Sequence, residues 1–234
     1  MLRLNDILAL CRVSNLPTVW TNVLAAIVLS GGVVLLADLL LLGLLLSCFY
    51  SAGMCLNDLA DAELDRSEKP HRPIPAGRVS KSAALWLVVF LLALPLLLLY
   101  LFYPQALLAG LLLTGFIVLY DLKHKQNAFS VYIMASCRLL VFLLVGLAVS
   151  GTLATLVIIA GGLQFAYIVL LSMVARHENS RAKPFSYPVI PWMLAGISLL
   201  DGLMMAVAAH PLWLLAGIGG AALTHLGQRY FRGD

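Results

Sequence analysis

Charge is the scarcest property of this sequence: 15 Lys and Arg and 11 Asp and Glu are spread over 234 residues, leaving 11% of the chain charged against 62% hydrophobic. An ordinary soluble domain is excluded by that balance. No C-x-x-C pair joins Cys11, Cys48, Cys55 and Cys137, so zinc-ribbon and thioredoxin-type sites are excluded and the four read as small core residues. The five histidines are dispersed, and no Ser–His–Asp set or Gly-rich nucleotide loop can be assembled. Linkers, low-complexity runs and sharp internal repeats are also missing, so residues 1–234 read as one transmembrane domain.

What is present is apolar sequence in long runs. Stretches at about 16–36, 39–58, 83–102, 106–120, 130–149, 153–174, 188–208 and 211–227 predict eight transmembrane helices, hence an all-α, polytopic membrane bundle. The first run is too long for a signal-peptide core and lacks an A-x-A cleavage pattern, so it counts as a helix. Fourteen of the fifteen cations fall before the first run, in every second connection or after the last, whereas the connections near Asp38, Tyr103, Ser150 and His210 carry none. By the positive-inside rule both termini face the cytoplasm, and the expected location is a bacterial inner membrane. The net charge of +4 reflects this one-sidedness, so the basic pI points to the lipid bilayer as partner and to no nucleic acid.

Asn57, Asp61 and Asp65 stand four residues apart in NDLADAELD, directly after the run that ends near Leu56. Each four-residue step turns a helix by about 40°, which keeps the three on one face. Carboxylates at a membrane edge are expensive unless compensated, and Mg²⁺ compensates them while leaving positions for phosphate oxygens. A solvated helix end would also be polar. The next residues favour the metal–diphosphate site: Arg66, Lys69, His71, Arg72 and Arg78 crowd RSEKPHRPIPAGR, whose prolines stiffen the loop that presents them.

Inside the apolar runs, Arg138 breaks the topological pattern about two turns into the fifth helix. It either faces a cavity as a substrate-binding cation or pairs within the bundle. Asp201, about midway along the seventh, poses the same choice, and Gln164, Asn22 and Asn15 suit interhelical hydrogen bonds.

These residues carry a resemblance to the UbiA superfamily of intramembrane prenyltransferases. RVSNLPTVWTNVLAA resembles the family's first helix, NDLADAELD its N-x-x-x-D-x-x-x-D motif, RPIPAGRVS the loop that follows, and LYDLKHK its Tyr/Lys segment. The resemblance implies a helical bundle around a central cavity, in which Mg²⁺ is held against a polyprenyl diphosphate. The prenyl group would pass to an aromatic or other small lipophilic acceptor. Carried over by position, Asn57, Asp61 and Asp65 would bind metal. Asp61, Asp65 and Lys123 would be catalytic, Arg72 and Lys123 would hold the diphosphate, and Tyr120 would line that end of the cavity.

The family's second motif is D-x-x-x-D, and this chain reads MVARHENSR, with Ala175 and Asn179 at the aspartate positions. Glu178 is the remaining carboxylate for metal, and Arg176 is a candidate partner for diphosphate. MASCRLLVFLLVG together with the altered motif resembles an EboC-like branch. A catalytically impaired UbiA-like protein, serving transport or assembly of a small metabolite, is the alternative function. CDP-alcohol phosphotransfer is excluded because no D-x-x-D-G-x-x-A-R stretch occurs.

Overall fold

The computed structural model describes residues 4–123, 129–179 and 187–230, apart from the side chains of residues 122, 123, 179 and 230. Eight long helices carry the apolar runs: α2 (Leu16–Leu29), α3 (Leu36–Ala60), α5 (Lys81–Phe102), α6 (Leu107–Lys123), α7 (Ser130–Ser150), α8 (Thr155–Asn179), α9 (Val189–Ala208) and α10 (Leu214–Tyr230). Two short helices, α1 (Leu4–Leu10) and α4 (Ala62–Glu68), lie outside them. Six of the eight are long and apolar enough to cross a bilayer.

The first and last runs differ from expectation. The run predicted over 16–36 stops at Leu29, because Gly31 adopts a left-handed φ of 75° and residues 30–35 turn the chain before α3 begins. Val13–Leu29 is therefore a shorter apolar helix, opened by a 3-10 turn with Pro17 in the first turn of α2. The last run begins at Leu214 rather than 211 and extends to Tyr230, 17 residues in all.

Each long helix packs on the next in sequence, and α10 returns to α2, which closes a ring of eight. α2 also reaches α7, α8 and α9, so it lies between the two sides of the ring. Small residues set its spacing: the Trp20 ring lies over Gly43, where a Cβ would come within 2.8 Å of it. Trp20 also donates to Ser47 at 3.2 Å. α9 and α10 meet at Gly202 and Gly217, where a Cβ on either glycine would stand 2.7 Å from the other's Cα. The buried centre is aliphatic, with Val23, Ile27, Leu42, Leu45, Phe49 and Phe142 in one cluster.

The outward side is equally apolar. On α5, Trp86, Val89, Phe90, Leu97 and Leu101 are all exposed, a surface that water would penalise and lipid would not. Composition, helix length and this apolar exterior together describe an integral membrane protein.

Candidate active site

α3 continues past the apolar core through Asn57 and Asp58 and hands over to α4 at Asp61, whose backbone stays helical at φ −88° and ψ −4°. The register survives the junction: the Asp61 amide bonds to the Asn57 carbonyl at 2.9 Å, Asp65 to Asp61 at 2.9 Å and Lys69 to Asp65 at 2.8 Å. Two such steps still rotate the helix by about 80°. The ends of the ladder consequently meet different partners.

Asn57 turns toward α6, where its Nδ2 donates to Asp121 Oδ1 at 3.2 Å. Asp121 is buried beside Tyr120, and the charges of Asp121, Arg176, Asp61 and Arg12 all act on the Tyr120 hydroxyl. Arg176, near the end of α8, donates to Ser130 Oγ at the start of α7 at 2.7 Å. The ends of α3, α6, α7 and α8 thus converge on one polar region.

The other face of the ladder is occupied by arginines. Asp58 and Asp65 are seven residues apart, nearly two full turns, so they align. Arg72 Nη1 donates to Asp58 Oδ1 at 3.2 Å and to Asp65 Oδ2 at 2.7 Å, while Arg12 Nη2 reaches Asp58 Oδ1 at 3.2 Å. Arg72, Asp58 and Asp65 are 7%, 5% and 4% exposed, so this is a buried ion cluster with two charges of each sign. Arg12 itself is held at a left-handed φ of 43°, a conformation costing a side-chain-bearing residue roughly 1–2 kcal/mol.

The proline-rich loop is tied down by the same residue types. Arg78 Nε donates to Asp6 Oδ1 on α1 at 2.7 Å, and its Nη2 donates to the His71 carbonyl at 2.8 Å. Gly77 makes the left-handed turn there, with φ 71°. At the exposed rim, a hydrogen bond from Lys81 and the charge of Arg66 hold the Glu63 carboxyl below its usual range. Such exposed pairs contribute little to stability. Beneath the loop, the Cys11 and Cys55 sulfurs lie 3.8 Å apart as free thiols.

Of the residues expected from sequence, Asn57, Asp61, Tyr120 and Arg176 are drawn to one end of the ring, and Asp65 and Arg72 hold each other. Glu178 is half-buried near the same end of α8 as Arg176. Arg138 lies deeper, bonded to α2. The side chains of Lys123 and Asn179, together with Lys125 and Arg181, lie outside the described residues. The sequence reading passed over Asp58, Asp121 and Arg12. The seven-residue spacing of Asp58 and Asp65 was a signal for the first, and the adjacency of Asp121 to Tyr120 in LYDLKHK for the second.

The donors present suit Mg²⁺. Asn57, Asp61 and Asp121 offer hard oxygens, and Mg²⁺ usually takes one or two carboxylates and completes its shell with water and substrate phosphate. Among the described residues no group of three or more His, Cys, Asp or Glu is placed to cage a metal alone.

Comparison with known proteins gives the same direction. The profile of the UbiA prenyltransferase family matches residues 16–232. A digeranylgeranylglyceryl phosphate synthase of Thermococcus kodakarensis is 39% identical over 72 residues, 31% of this chain and 26% of that protein. Its counterpart in Thermococcus gammatolerans is 35% identical over 108 residues, 46% of this chain and 39% of that one. The matched stretches therefore span well under half of these relatives.

In three dimensions, a solved chain from work on digeranylgeranylglyceryl phosphate synthase in membranes superposes with a TM-score of 0.67 at 21% identity, covering 99% of this chain and 95% of the other. A UbiA homologue from Archaeoglobus fulgidus bound to GPP and Mg²⁺ gives a TM-score of 0.62 at 16% identity, covering 97% and 86%. At such identity these two establish the fold, and the profile match over most of the sequence places the chain in the UbiA prenyltransferase family.

Proposed function

We propose that this protein transfers a prenyl group from a polyprenyl diphosphate to an aromatic or other small lipophilic acceptor within the membrane, with Mg²⁺ as cofactor. The observation that carries this is the convergence of Asn57, Asp61, Asp121, Tyr120 and Arg176 at one end of an apolar ring. It sets oxygen ligands, a cation and an aromatic hydroxyl where a diphosphate head would sit while its tail lies among aliphatic helices.

Mg²⁺ at such a site neutralises the leaving diphosphate. Asn57, Asp61 and Asp121 would hold the ion, with Glu178 as the carboxylate left from the second motif. Asp121 makes up part of the charge missing at Ala175 and Asn179. Arg72 and Asp65 neutralise each other when no substrate is present, and we assign Arg72 to the diphosphate oxygens and Asp65 to the ion once both arrive. Lys123 and Arg176 would add cations to the leaving group. In the reaction the allylic C1–O bond breaks with its electron pair going to the diphosphate. C1 then bonds the acceptor, which gives up a proton. Tyr120 would line this end of the cavity, where an aromatic ring can stabilise positive charge as it develops.

The one-sided Lys and Arg distribution supports placing this polar end and both termini in the cytoplasm. External labelling of cysteines introduced at Glu68 in intact cells would contradict that orientation. The MASCRLLVFLLVG segment and the altered second motif support the EboC-like branch.

A specific observation favours a second reading. The Arg12–Asp58–Arg72–Asp65 cluster is already neutral, and Ala175 cannot ligate metal, as in a catalytically impaired protein kept for transport or assembly. The experiment that separates the two is incubation of purified protein with radiolabelled prenyl diphosphate and a membrane lipid extract. Mg²⁺-dependent release of diphosphate with label moving into an extractable product is expected. Binding without release at any Mg²⁺ concentration would favour the impaired protein.

A further inference from the structure

The two free thiols beneath the proline-rich loop take no part in the proposed chemistry, yet they lie where α1, α3 and the loop meet. Cys11 ends α1: its amide still bonds to the Ile7 carbonyl at 2.9 Å, and Arg12 then turns the chain at a left-handed φ of 43°. Cys55 sits on α3, three residues before Asp58, the carboxylate that Arg12 reaches. The sulfurs lie 3.8 Å apart although 44 residues separate them in sequence, and both cysteines are free. Cys55 is 0% exposed and Cys11 8%, so a reagent arriving from the polar end meets Cys11 first.

The pair belongs to a cluster with Leu10, Ala62, Ile74, Val79 and Ala84, all apolar. Alanine or valine would fill such a site as well, and what two sulfurs in contact add is the bond they can form. A disulfide holds its sulfurs about 2.0 Å apart, so closure draws these two together by less than about 2 Å. The bond would act beyond its own helices. α1 packs on α3, and its Asp6 accepts from Arg78 Nε of the loop at 2.7 Å. Arg72, which the proposed function sends from Asp65 to the diphosphate, belongs to the same loop, six residues before Arg78. With both thiols reduced, α1 is held on α3 by noncovalent contacts, and it can shift with the loop as Arg72 changes partners.

Resting on the prenyl-transfer function proposed above, we infer that Cys11 and Cys55 form a redox site, whose oxidation to a disulfide pins α1 and the proline-rich loop to α3 and weakens prenyl diphosphate binding. The oxidant is a small disulfide of the glutathione class. Cys11, as thiolate, attacks one sulfur of that disulfide, and the first small thiolate leaves. The Cys55 sulfur then attacks Cys11 in the mixed disulfide and displaces the second. One S–S bond breaks and one forms in each exchange, two electrons pass from the cysteines to the small disulfide, and the two thiol protons end on the two small thiols. In a reducing compartment such a bond is transient, as a sensor requires.

Cystamine, a small disulfide, tests this on the full chain in phosphatidylcholine nanodiscs. Proteolytic mapping of treated wild type should show Cys11 joined to Cys55, with Cys48 and Cys137 still open to alkylation. Calorimetry should show Mg²⁺-dependent affinity for geranyl diphosphate falling at least threefold and returning with dithiothreitol. Cys11→Ser should bind within twofold of reduced wild type and ignore cystamine, and Cys11→Ala replaces it if the serine variant does not fold. Asp6→Asn should form the same link yet keep its affinity within twofold, because the loop is no longer tied to α1. The inference is overturned if the link does not form, if other cysteines are joined instead, or if linked wild type binds as tightly as reduced. An equal loss of affinity in Cys11→Ser or in Asp6→Asn would overturn it too. No binding of geranyl diphosphate by reduced wild type would count against the proposed function itself, and the Cys11–Cys55 link is scored separately, by its formation or its absence.

Discussion

Replacing Arg72 by methionine removes a guanidinium from between two buried carboxylates. Asp65 loses its cation and Asp58 keeps Arg12. Breaking a buried pair in this way typically costs about 3–5 kcal/mol, and the surviving Arg12–Asp58 contact sets the expectation near 3 kcal/mol. For a chain of this size 1 kcal/mol moves Tm by about 2–4 °C, so a fall of about 6–12 °C is expected in thermal unfolding of the nanodisc-embedded protein. The origin of the loss is checked by Arg72→Met with Asp65→Asn, which removes the stranded charge and should recover at least half of the fall. An unchanged Tm, or a double variant no more stable than the single one, would refute the buried ion cluster.

Asp61→Ala and Asp121→Asn should each weaken Mg²⁺-dependent geranyl diphosphate binding by at least tenfold without unfolding the protein, and calorimetry showing wild-type affinity in both would remove them from the site. Ala175→Asp with Asn179→Asp should shift the Mg²⁺ titration of that binding to lower concentration by restoring two carboxylates, and Glu178→Gln should shift it upward; superimposable curves would show that this end of α8 is not part of a metal site. Gly202→Val places a Cβ 2.7 Å from the Gly217 Cα, so α9 and α10 must part and about 1–3 kcal/mol of stability should be lost, read as a lower Tm; no change would refute the close crossing.

Much of the fold was legible because lipid imposes a coarse rule. Apolar runs near 20 residues must be helices, and the alternation of cations fixes which ends are neighbours. The boundaries failed where that rule is silent: residues 30–35 are apolar enough to extend a span, but Gly31 turns the chain there. At the candidate site, four-residue spacing suggested a shared face for Asn57, Asp61 and Asp65. It did not reveal the pairing of Asp65 with Arg72, because a second step accumulates enough rotation to bring Asp65 under Arg72 with Asp58. The partnership of Asp121 with Asn57 bridges 64 residues, and that of Asn22 with Asp201 bridges 179. No local periodicity records such pairs, so Arg138 and Asp201 each read from sequence as isolated charges with two possible roles.

The central claim is that the polar end of the ring holds a prenyl diphosphate through Mg²⁺, and its most direct measurement is geranyl diphosphate affinity against Mg²⁺ concentration for purified wild-type protein. Affinity should rise steeply with Mg²⁺, collapse when the ion is chelated and return on its re-addition. Binding of equal strength with and without Mg²⁺, or no binding at any concentration, would contradict the account.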